Sequence, residues 1–160
     1  MMRRWLPLVG ILLLGAFLLF KLVQPRDEFV RSAMVGKPLP TFNLPAIVKG
    51  SAGFTNRDFA DGKPRLLNLF GSYCIPCIAE APQLDALKKA GAEIDAVAIS
   101  DKAAGVNVFL ERYGNPFTRI GNAPTGAMQL ALGSSGVPET YVIGGDGRIL
   151  YQHIGDIRAD

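Results

Sequence analysis

Residues 67–77 run Leu-Asn-Leu-Phe-Gly-Ser-Tyr-Cys-Ile-Pro-Cys and contain the most informative feature of the chain, a pair of cysteines. The apolar half of this stretch, which ends at Phe70, is short and bounded by Gly71, as is typical of a buried central strand. Apolar side chains then recur every three residues over residues 75–90, which predicts a helix. Cys74 therefore lies where a buried strand passes into a helix.

Cys74 and Cys77 are the only cysteines of the chain. At a helix N-terminus, free backbone N–H groups and the positive end of the helix dipole stabilise a thiolate. A thiolate attacks a disulfide to form a mixed disulfide, and a second thiol about one turn later can resolve it. The pair therefore predicts a redox-active site in which Cys74 attacks and Cys77 resolves.

Two other interpretations of the cysteine pair stay open. A structural disulfide across so short a loop would constrain little of the unfolded chain. A metal site needs about four ligands, and beyond these thiols the chain offers a single histidine, His153, which is distant in sequence. We therefore expect no metal and no cofactor other than the Cys74–Cys77 disulfide, and a structural role for His153.

The N-terminal segment is almost entirely apolar. Residues 6–20 carry no charge, and Lys21 is the only charge within residues 5–23. A membrane-spanning helix needs about 20 such residues. A cleaved signal peptide is the alternative, but the residues that follow make a poor cleavage site. We predict that residues 1–24 form a single-pass transmembrane signal anchor.

The charge of the chain is concentrated at this end. The chain has 17 basic and 14 acidic residues, and Arg3, Arg4 and Lys21 account for the excess of three. The remainder is formally neutral, so we expect no nucleic-acid partner. Basic residues on both sides of the apolar segment leave its orientation open, but a signal anchor usually places the larger domain outside the cytoplasm.

The rest of the chain predicts a linker and one domain. Residues 25–50 are rich in proline and glycine and predict an extended linker, and residues 51–160 predict a single domain. Its pattern is strand–helix–strand–helix followed by a hairpin, which predicts an α/β fold with a parallel core and antiparallel edge strands. The predicted elements are strands at 65–71, 94–100, 117–120, 139–143 and 148–154 and helices at 75–90, 102–113 (capped by Asp101) and 127–132.

Two segments resemble a known family. Residues 67–77 are similar to the active-site loop of membrane-anchored thioredoxin-like proteins, and residues 136–143, Gly-Val-Pro-Glu-Thr-Tyr-Val-Ile, resemble the cis-proline segment of one branch. That branch is the DsbE or CcmG family of cytochrome c biogenesis thiol–disulfide interchange proteins. The resemblance implies a thioredoxin-like fold after a transmembrane helix: a mixed sheet with a parallel core, an antiparallel hairpin and helices on both faces.

The same resemblance implies a function. The protein would be a disulfide reductase of the bacterial inner membrane whose C-terminal domain faces the periplasm. It would keep the haem-binding cysteines of apocytochrome c reduced, directly or through an associated thiol protein, and a membrane thiol-reductase would supply its electrons. A general periplasmic reductase or an oxidase is the alternative, because direction depends on the reduction potential.

The resemblance also assigns substrate-docking residues. Pro138 matches the family's cis-proline beside the two thiols, and a cis bond there would expose the backbone of Val137 to a substrate peptide. Tyr73 stands where most relatives carry tryptophan and keeps an aromatic surface for docking.

Two glutamates match family acids near the active site, and the resemblance implies that they tune cysteine pKa values. Glu80 lies one turn after Cys77, and Glu139 follows Pro138. Negative charge beside a thiol opposes thiolate formation. Without the resemblance, Glu80 would be interpreted as an exposed helix charge and Glu139 as a solvated charge at a strand end.

The C-terminal end departs from the family pattern. Residues 155–160 are too few for the closing helix usual in a thioredoxin fold, so we expect that helix to be missing. Apolar surface beside the hairpin strands should then be exposed or covered by something else. A truncated chain, or a domain that relies on a partner or on its N-terminal extension, would account for this.

Overall fold

The computed structural model describes residues 6–23 and 33–158. Five strands form the central sheet: β3 Arg65–Phe70, β4 Ile94–Ile99, β5 Arg119–Ala123, β6 Glu139–Ile143 and β7 Ile149–Ile154. The other elements are helices α1 Leu6–Val23, α2 Ile75–Lys89, α3 Ala103–Tyr113 and α4 Ala127–Leu132, a 3₁₀ helix at Asn56–Phe59, and a two-stranded sheet of β1 Asn43–Leu44 and β2 Phe54–Thr55.

The central sheet is mixed, with the order β5-β4-β3-β6-β7. β3, β4 and β5 are parallel, and α2 and α3 provide the crossover connections that parallel strands require. β6 runs antiparallel to both β3 and β7. The predicted parallel core with an antiparallel hairpin is confirmed.

Helices cover both faces of this sheet. One core contains Leu67 and Leu69 of β3 with Met128 and Leu132 of α4. The other contains Phe70 with side chains of α2 and α3, which include Cys77, Ala81, Leu84, Val106 and Phe109. Since successive side chains of a strand point to opposite faces, β3 supplies both cores and is buried on both sides. This places the end of β3, and the loop after it, at a fixed position between two packed layers.

Residues 33–50, which follow the undescribed part of the predicted linker, pack on the domain. Leu39 and Leu44 are buried in the α4-side core, and Ile47 and Val48 in the other. Pro38 forms an isolated β-bridge to Arg148. The predicted domain boundary at residue 51 stays a prediction.

The predicted transmembrane helix is not shown. Within residues 6–23 and 33–158, no helix meets the combined length and apolarity that crossing a membrane requires.

Beyond β7, residues 155–158 are not helical. Two adjoining surface pockets of about 450 and 630 Å³ share Leu66, Leu87 and Val142 in their walls. Apolar side chains thus line the surface beside the hairpin strands. The expectation of a missing closing helix stays a prediction.

β5 begins later than the predicted strand at residues 117–120. Phe117 is buried and packs its ring against Phe70, with ring centroids 5.0 Å apart. Arg119 then opens β5 and donates two hydrogen bonds to the fully buried Asp95 of β4, at 2.8 and 2.7 Å. Long-range packing and a buried ion pair therefore set the start of this strand.

Candidate active site

Cys74 and Cys77 form a disulfide at the N-terminus of α2. Cys74 is the N-cap residue, and its Sγ accepts a hydrogen bond from the Cys77 N–H at 3.3 Å. Cys77 is 1% exposed and Cys74 is 7% exposed. Cys74 is therefore the more accessible of the two cysteines and lies at the positive end of the helix, as the attacking role requires.

The loop before β6 lies directly against this disulfide. The Val137–Pro138 peptide bond is cis. The Val137 carbonyl oxygen lies 3.7 Å from Cys74 Sγ. The fold thus brings the two predicted docking residues beside the attacking sulfur.

Tyr73 presents its ring at the surface next to Cys74. The hydroxyl end of the ring is held in place, because the hydroxyl donates to the Ile99 carbonyl oxygen at 3.1 Å and this end of the ring covers Gly71. A Cβ at Gly71 would lie 2.8 Å from a ring carbon, so only glycine leaves room for this arrangement. On the other side of Cys74, the side chain of Ile75 is 79% exposed. The attacking sulfur therefore has an aromatic and an aliphatic neighbour at the surface, of which only Tyr73 was predicted.

Asp101 holds the loop between β3 and α2. Its Oδ2 accepts the Ser72 N–H at 2.6 Å, and its Oδ1 accepts the Ser72 hydroxyl at 2.9 Å. Gly105 allows this close approach, since a Cβ there would lie 2.5 Å from Ser72 Oγ. The prediction that Asp101 caps α3 is wrong, because the N-cap is Lys102 and no side chain caps it.

The position of Asp101 in sequence carried a signal that was missed. Asp101 follows the end of β4, and Ser72 follows the end of β3. Neighbouring parallel strands end at the same edge of a sheet, so polar residues after two such strands are brought together. The residues that position this loop can therefore be found from strand order.

Glu80 is fully buried, so its interpretation as an exposed helix charge is wrong. Its Oε1 accepts a hydrogen bond from Asn68 Nδ2 at 3.0 Å, and its Oε2 accepts one from the Ile157 N–H at 3.1 Å. Burial raises the pKa of Glu80, and these two hydrogen bonds offset the rise only in part. A carboxyl group that readily takes up a proton therefore lies one helical turn from Cys77.

Glu139 is also fully buried, and its interpretation as a solvated strand-end charge is wrong. It accepts hydrogen bonds from the Ser135 N–H at 2.7 Å, the Ser135 hydroxyl, the Tyr141 hydroxyl at 2.7 Å and Gln152 Nε2 at 3.2 Å. Burial alone would raise the pKa of Glu139, but the hydrogen bonds from Ser135 and Tyr141 outweigh it and lower the pKa. Glu139 is thus a fixed anion that holds the loop carrying Pro138.

His153 lies closer to the site than its sequence position indicated. It pairs with Thr140 across β6 and β7, and Thr140 pairs with Asn68 across β3 and β6. Directly opposed residues point to the same face of a sheet, so His153 shares the face of Asn68, the hydrogen-bond donor of Glu80. The strand register supplies this connection.

In the part of the chain that the structure describes, no three His, Cys, Asp or Glu side chains are grouped so that they could hold a metal ion. The expectation that the protein works without a metal or other cofactor stays a prediction.

Comparisons with known sequences place this site among redox proteins. Residues 34–160 match the Redoxin family. The thiol:disulfide interchange protein HelX of Rhodobacter capsulatus is 38% identical over 141 residues, which cover 88% of this chain and 80% of that protein. DsbE of Tatumella citrea is 34% identical over 160 residues, with 98% and 86% covered, and DsbE of Pseudomonas aeruginosa is 35% identical over 150 residues, with 94% and 82% covered.

Solved structures agree with the sequence matches. A Chlorobium tepidum protein described as a thiol:disulfide interchange protein DsbE is 30% identical, with a TM-score of 0.64 over 77% of this chain and 86% of that one. StoA of Bacillus subtilis, at 19% identity and a TM-score of 0.61 over 76% of this chain and 92% of that one, is similar in fold alone. The predicted thioredoxin-like fold, family and thiol–disulfide oxidoreductase activity are confirmed.

Proposed function

We propose that this protein is a membrane-anchored reductant of protein disulfides. The chain belongs to the Redoxin family and to its DsbE/HelX thiol:disulfide interchange proteins. Thiol–disulfide exchange itself follows from these relatives and from the Cys74–Cys77 pair. The direction of electron flow, the substrate and the location are what we add. The observation that carries the proposal is a dithiol at a helix N-terminus, with the fully buried Glu80 one turn along the same helix.

The reaction begins with the reduced protein. The Cys74 thiolate attacks one sulfur of the substrate disulfide and forms a mixed disulfide, and the first substrate sulfur leaves as a thiolate. Cys77 then loses its proton and attacks Cys74 Sγ, which releases the second substrate sulfur. Two electrons pass to the substrate, its thiolates take up protons, and the Cys74–Cys77 disulfide remains.

Glu80 is suited to accept the proton of Cys77. Cys77 is almost completely buried, so its thiol is shielded from water. Glu80 lies one turn along the same helix, and burial raises its pKa, so it can bind a proton closer to neutral pH than an exposed glutamate can. In its charged form Glu80 also raises the energy of a nearby thiolate, which favours the disulfide and makes the dithiol a better reductant.

The proposed substrate is apocytochrome c, or a thiol protein that acts on it, with a disulfide between its haem-binding cysteines. The support is the resemblance of residues 67–77 and 136–143 to the cytochrome c biogenesis family. The side chains of Tyr73 and Ile75, the residues before and after Cys74, are exposed and offer apolar contacts to a substrate. The backbone beside Pro138 offers polar groups for an extended peptide. A membrane thiol-reductase would then return Cys74 and Cys77 to the reduced form.

The proposed location is the bacterial inner membrane, with the domain in the periplasm. The support is the uncharged run at residues 6–20 and the helical conformation of α1.

Trapping of the mixed disulfide tests the substrate. The full chain with Cys77→Ser, in its reduced form, is mixed with a peptide whose Cys-x-x-Cys-His haem-attachment motif is closed by a disulfide. We expect a covalent complex through Cys74 and none with the matched Cys74→Ser variant. Equal trapping of oxidised insulin would favour a general reductase, and failure to trap the haem-site peptide would overturn the proposed substrate.

Thiol labelling in intact cells tests the location. A membrane-impermeant maleimide should label reduced Cys74 from the periplasmic side, with a cytoplasmic cysteine protein as the unlabelled control. Labelling that requires lysis of the cells would refute the periplasmic assignment.

A further inference from the structure

Residues 155–157 connect the two sides of the redox site. The Gly155 N–H donates to the Pro138 carbonyl oxygen at 3.0 Å, beside the loop that faces Cys74. Two residues later, the Ile157 N–H donates to Glu80 Oε2 at 3.1 Å. We call residues 155–157 the strap. Its backbone N–H groups donate hydrogen bonds both to the loop that carries Pro138 and to the buried Glu80.

A single peptide group within the strap joins Glu80 to the only histidine of the chain. The carbonyl oxygen of Asp156 is 3.2 Å from His153 Nε2, and the N–H of that same peptide, on Ile157, is the donor to Glu80. A carbonyl oxygen can only accept a hydrogen bond, so Nε2 carries the proton and donates. Each hydrogen bond of such a chain polarises the next, so the bond from His153 strengthens the bond to Glu80.

The strap peptide links a solvent-facing side chain to a buried one. Thr140, His153, Asp156 and Ile157 line a surface pocket of about 450 Å³, and His153 is half-buried in its wall. Glu80 lies behind this wall with no exposed surface. His153 is therefore in contact with solvent, whereas Glu80 is buried and is linked to His153 by the strap peptide.

The ionisable groups that face Glu80 come from three elements. Cys77 lies on the same helix, His153 on β7, and Asp156 within the strap, where Arg158 forms an ion pair with it. β3 and β6 contribute the neutral side chains Asn68 and Thr140. Arg158 partly balances the charge of Asp156.

We propose that His153 is a positioning residue for Glu80: its Nε2–H fixes and polarises the Asp156–Ile157 peptide, and so sets how readily Glu80 takes the proton of Cys77. The catalytic consequence rests on the proposed role of Glu80 as that proton acceptor. In the resolving step the proton of Cys77 passes to Glu80. The electron pair of the S–H bond then forms the S–S bond to Cys74, and the substrate thiolate leaves. When the peptide N–H is held towards Glu80, the carboxylate form is favoured and is ready to accept this proton.

We call the hydrogen-bonded link from His153 through the Asp156–Ile157 peptide to Glu80 the bridge. Carboxyl-carbon NMR titration of Glu80 in the reduced full chain, held in detergent micelles, tests it. In His153→Ala the titration midpoint of Glu80 should rise by about one pH unit, the effect expected for losing one well-oriented hydrogen bond to a carboxylate. His153→Gln can still donate to Asp156 and should restore much of the wild-type midpoint. Tyr151→Phe, in the wall of the same pocket, should leave the midpoint unchanged.

Substitution of Ile157 separates the peptide route from a direct charge effect. Ile157→Pro removes the N–H, and Ile157→Ala keeps it while shortening the side chain. Only Ile157→Pro should raise the Glu80 midpoint by about one pH unit, and adding His153→Ala to it should produce little further shift. A full additional shift in the double variant would overturn the bridge, as would an unchanged midpoint in His153→Ala.

The resolving rate, followed by acid quench and mass spectrometry, provides the second measurement. Its low-pH limb should move with the Glu80 midpoint by the same amount in each variant. Midpoints that shift while the rate profile stays fixed would support the bridge and contradict the proposed role of Glu80 as proton acceptor. The failure of one claim is thereby distinguished from the failure of the other.

Discussion

Glu80 lies one helical turn after Cys77, and Glu139 directly follows the cis-proline Pro138. Both glutamates are fully buried, and the fold shifts their pKa values in opposite directions. Glu80 has two hydrogen-bond donors, Asn68 and the Ile157 amide, and burial raises its pKa. Glu139 has four hydrogen bonds, two of them from Ser135, and these outweigh burial and lower its pKa. The number of donors, and not burial alone, decides which form of a buried carboxyl is stable.

The resemblance implied one task for both residues, tuning of cysteine pKa values, whereas the structure gives them different environments. The raised pKa of Glu80 lets it take up a proton more readily than an exposed glutamate, as the proposed proton acceptor of Cys77 requires. Glu139 keeps its charge and fixes the loop that presents Val137 and Pro138 to Cys74. Three experiments on the two glutamates test this division, and a fourth, on Asp101, tests the loop that precedes Cys74.

Glu139→Gln should have the largest effect on stability. A carboxamide has one acceptor oxygen, and its NH₂ would face the donors of Ser135 and Tyr141, so buried hydrogen bonds would be lost. We expect the free energy of unfolding at pH 7 to fall by about 3 kcal/mol in urea titrations. Glu80→Gln is the matched control. An equal loss of unfolding free energy in both variants would show that the hydrogen bonds of the two carboxylates contribute equally to stability.

Glu80→Gln should instead affect the chemistry. Without a proton acceptor beside Cys77, resolution of the mixed disulfide should slow by about 100-fold. The free energy of unfolding should fall by less than in Glu139→Gln, because the loss of a hydrogen bond from one of two donors is offset by the removal of a charge that is costly to bury. Quenched-flow mass spectrometry measures the rate. The control is Asp85→Asn, at a partly exposed position on the same helix where the aspartate pairs with Lys89. A wild-type rate in Glu80→Gln would refute the proton transfer.

Stability should depend on pH with opposite sign for the two glutamates. The raised pKa of Glu80 means that its contribution to stability is present below the ordinary value of 4.5 and is lost as pH rises through the folded-state pKa. The lowered pKa of Glu139 means that its contribution is present above 4.5 and is lost as pH falls through the folded-state pKa. Urea titrations of the wild type and of each Gln variant, from pH 3 to 8 by about unit steps, should show these opposite trends. Parallel trends would contradict the assignment.

Asp101→Asn should have the smallest effect, because it loosens the loop of Ser72 without touching either sulfur. The two hydrogen bonds to Ser72 would be weakened, at a cost of about 1 kcal/mol in unfolding free energy. Attack by Cys74 should slow by only a few fold. Combining Asp101→Asn with Ser72→Ala should add little to either single variant, and fully additive losses would argue against a direct clamp.

The central part of this site was predictable because its signals are local. A buried strand, a breaker and a helix in immediate succession place Cys74 at a helix N-terminus, and Cys77 follows one turn later. The strand–helix alternation and the final hairpin likewise predicted the mixed sheet. Such features depend on residues that are neighbours in the chain.

The environment of the two glutamates was not predictable, because their partners are distant in sequence. Glu80 receives hydrogen bonds from Asn68 and from Ile157, which follows it by 77 positions. Without those donors a glutamate on a helix is usually solvated. His153 was missed for the same reason, since only the register of β6 and β7 brings it to the correct face. Register depends on long-range pairing and cannot be read from a single strand.

The reduction potential of the Cys74–Cys77 pair tests most directly the claim that the protein donates electrons. Negative charge beside the sulfurs disfavours the thiolate, and a less stable reduced form gives a lower potential. Equilibration of the full chain with glutathione or dithiothreitol buffers, followed by thiol trapping, should give a value of about −200 mV or lower. A potential near about −120 mV, typical of a strongly oxidising dithiol protein, would contradict the account.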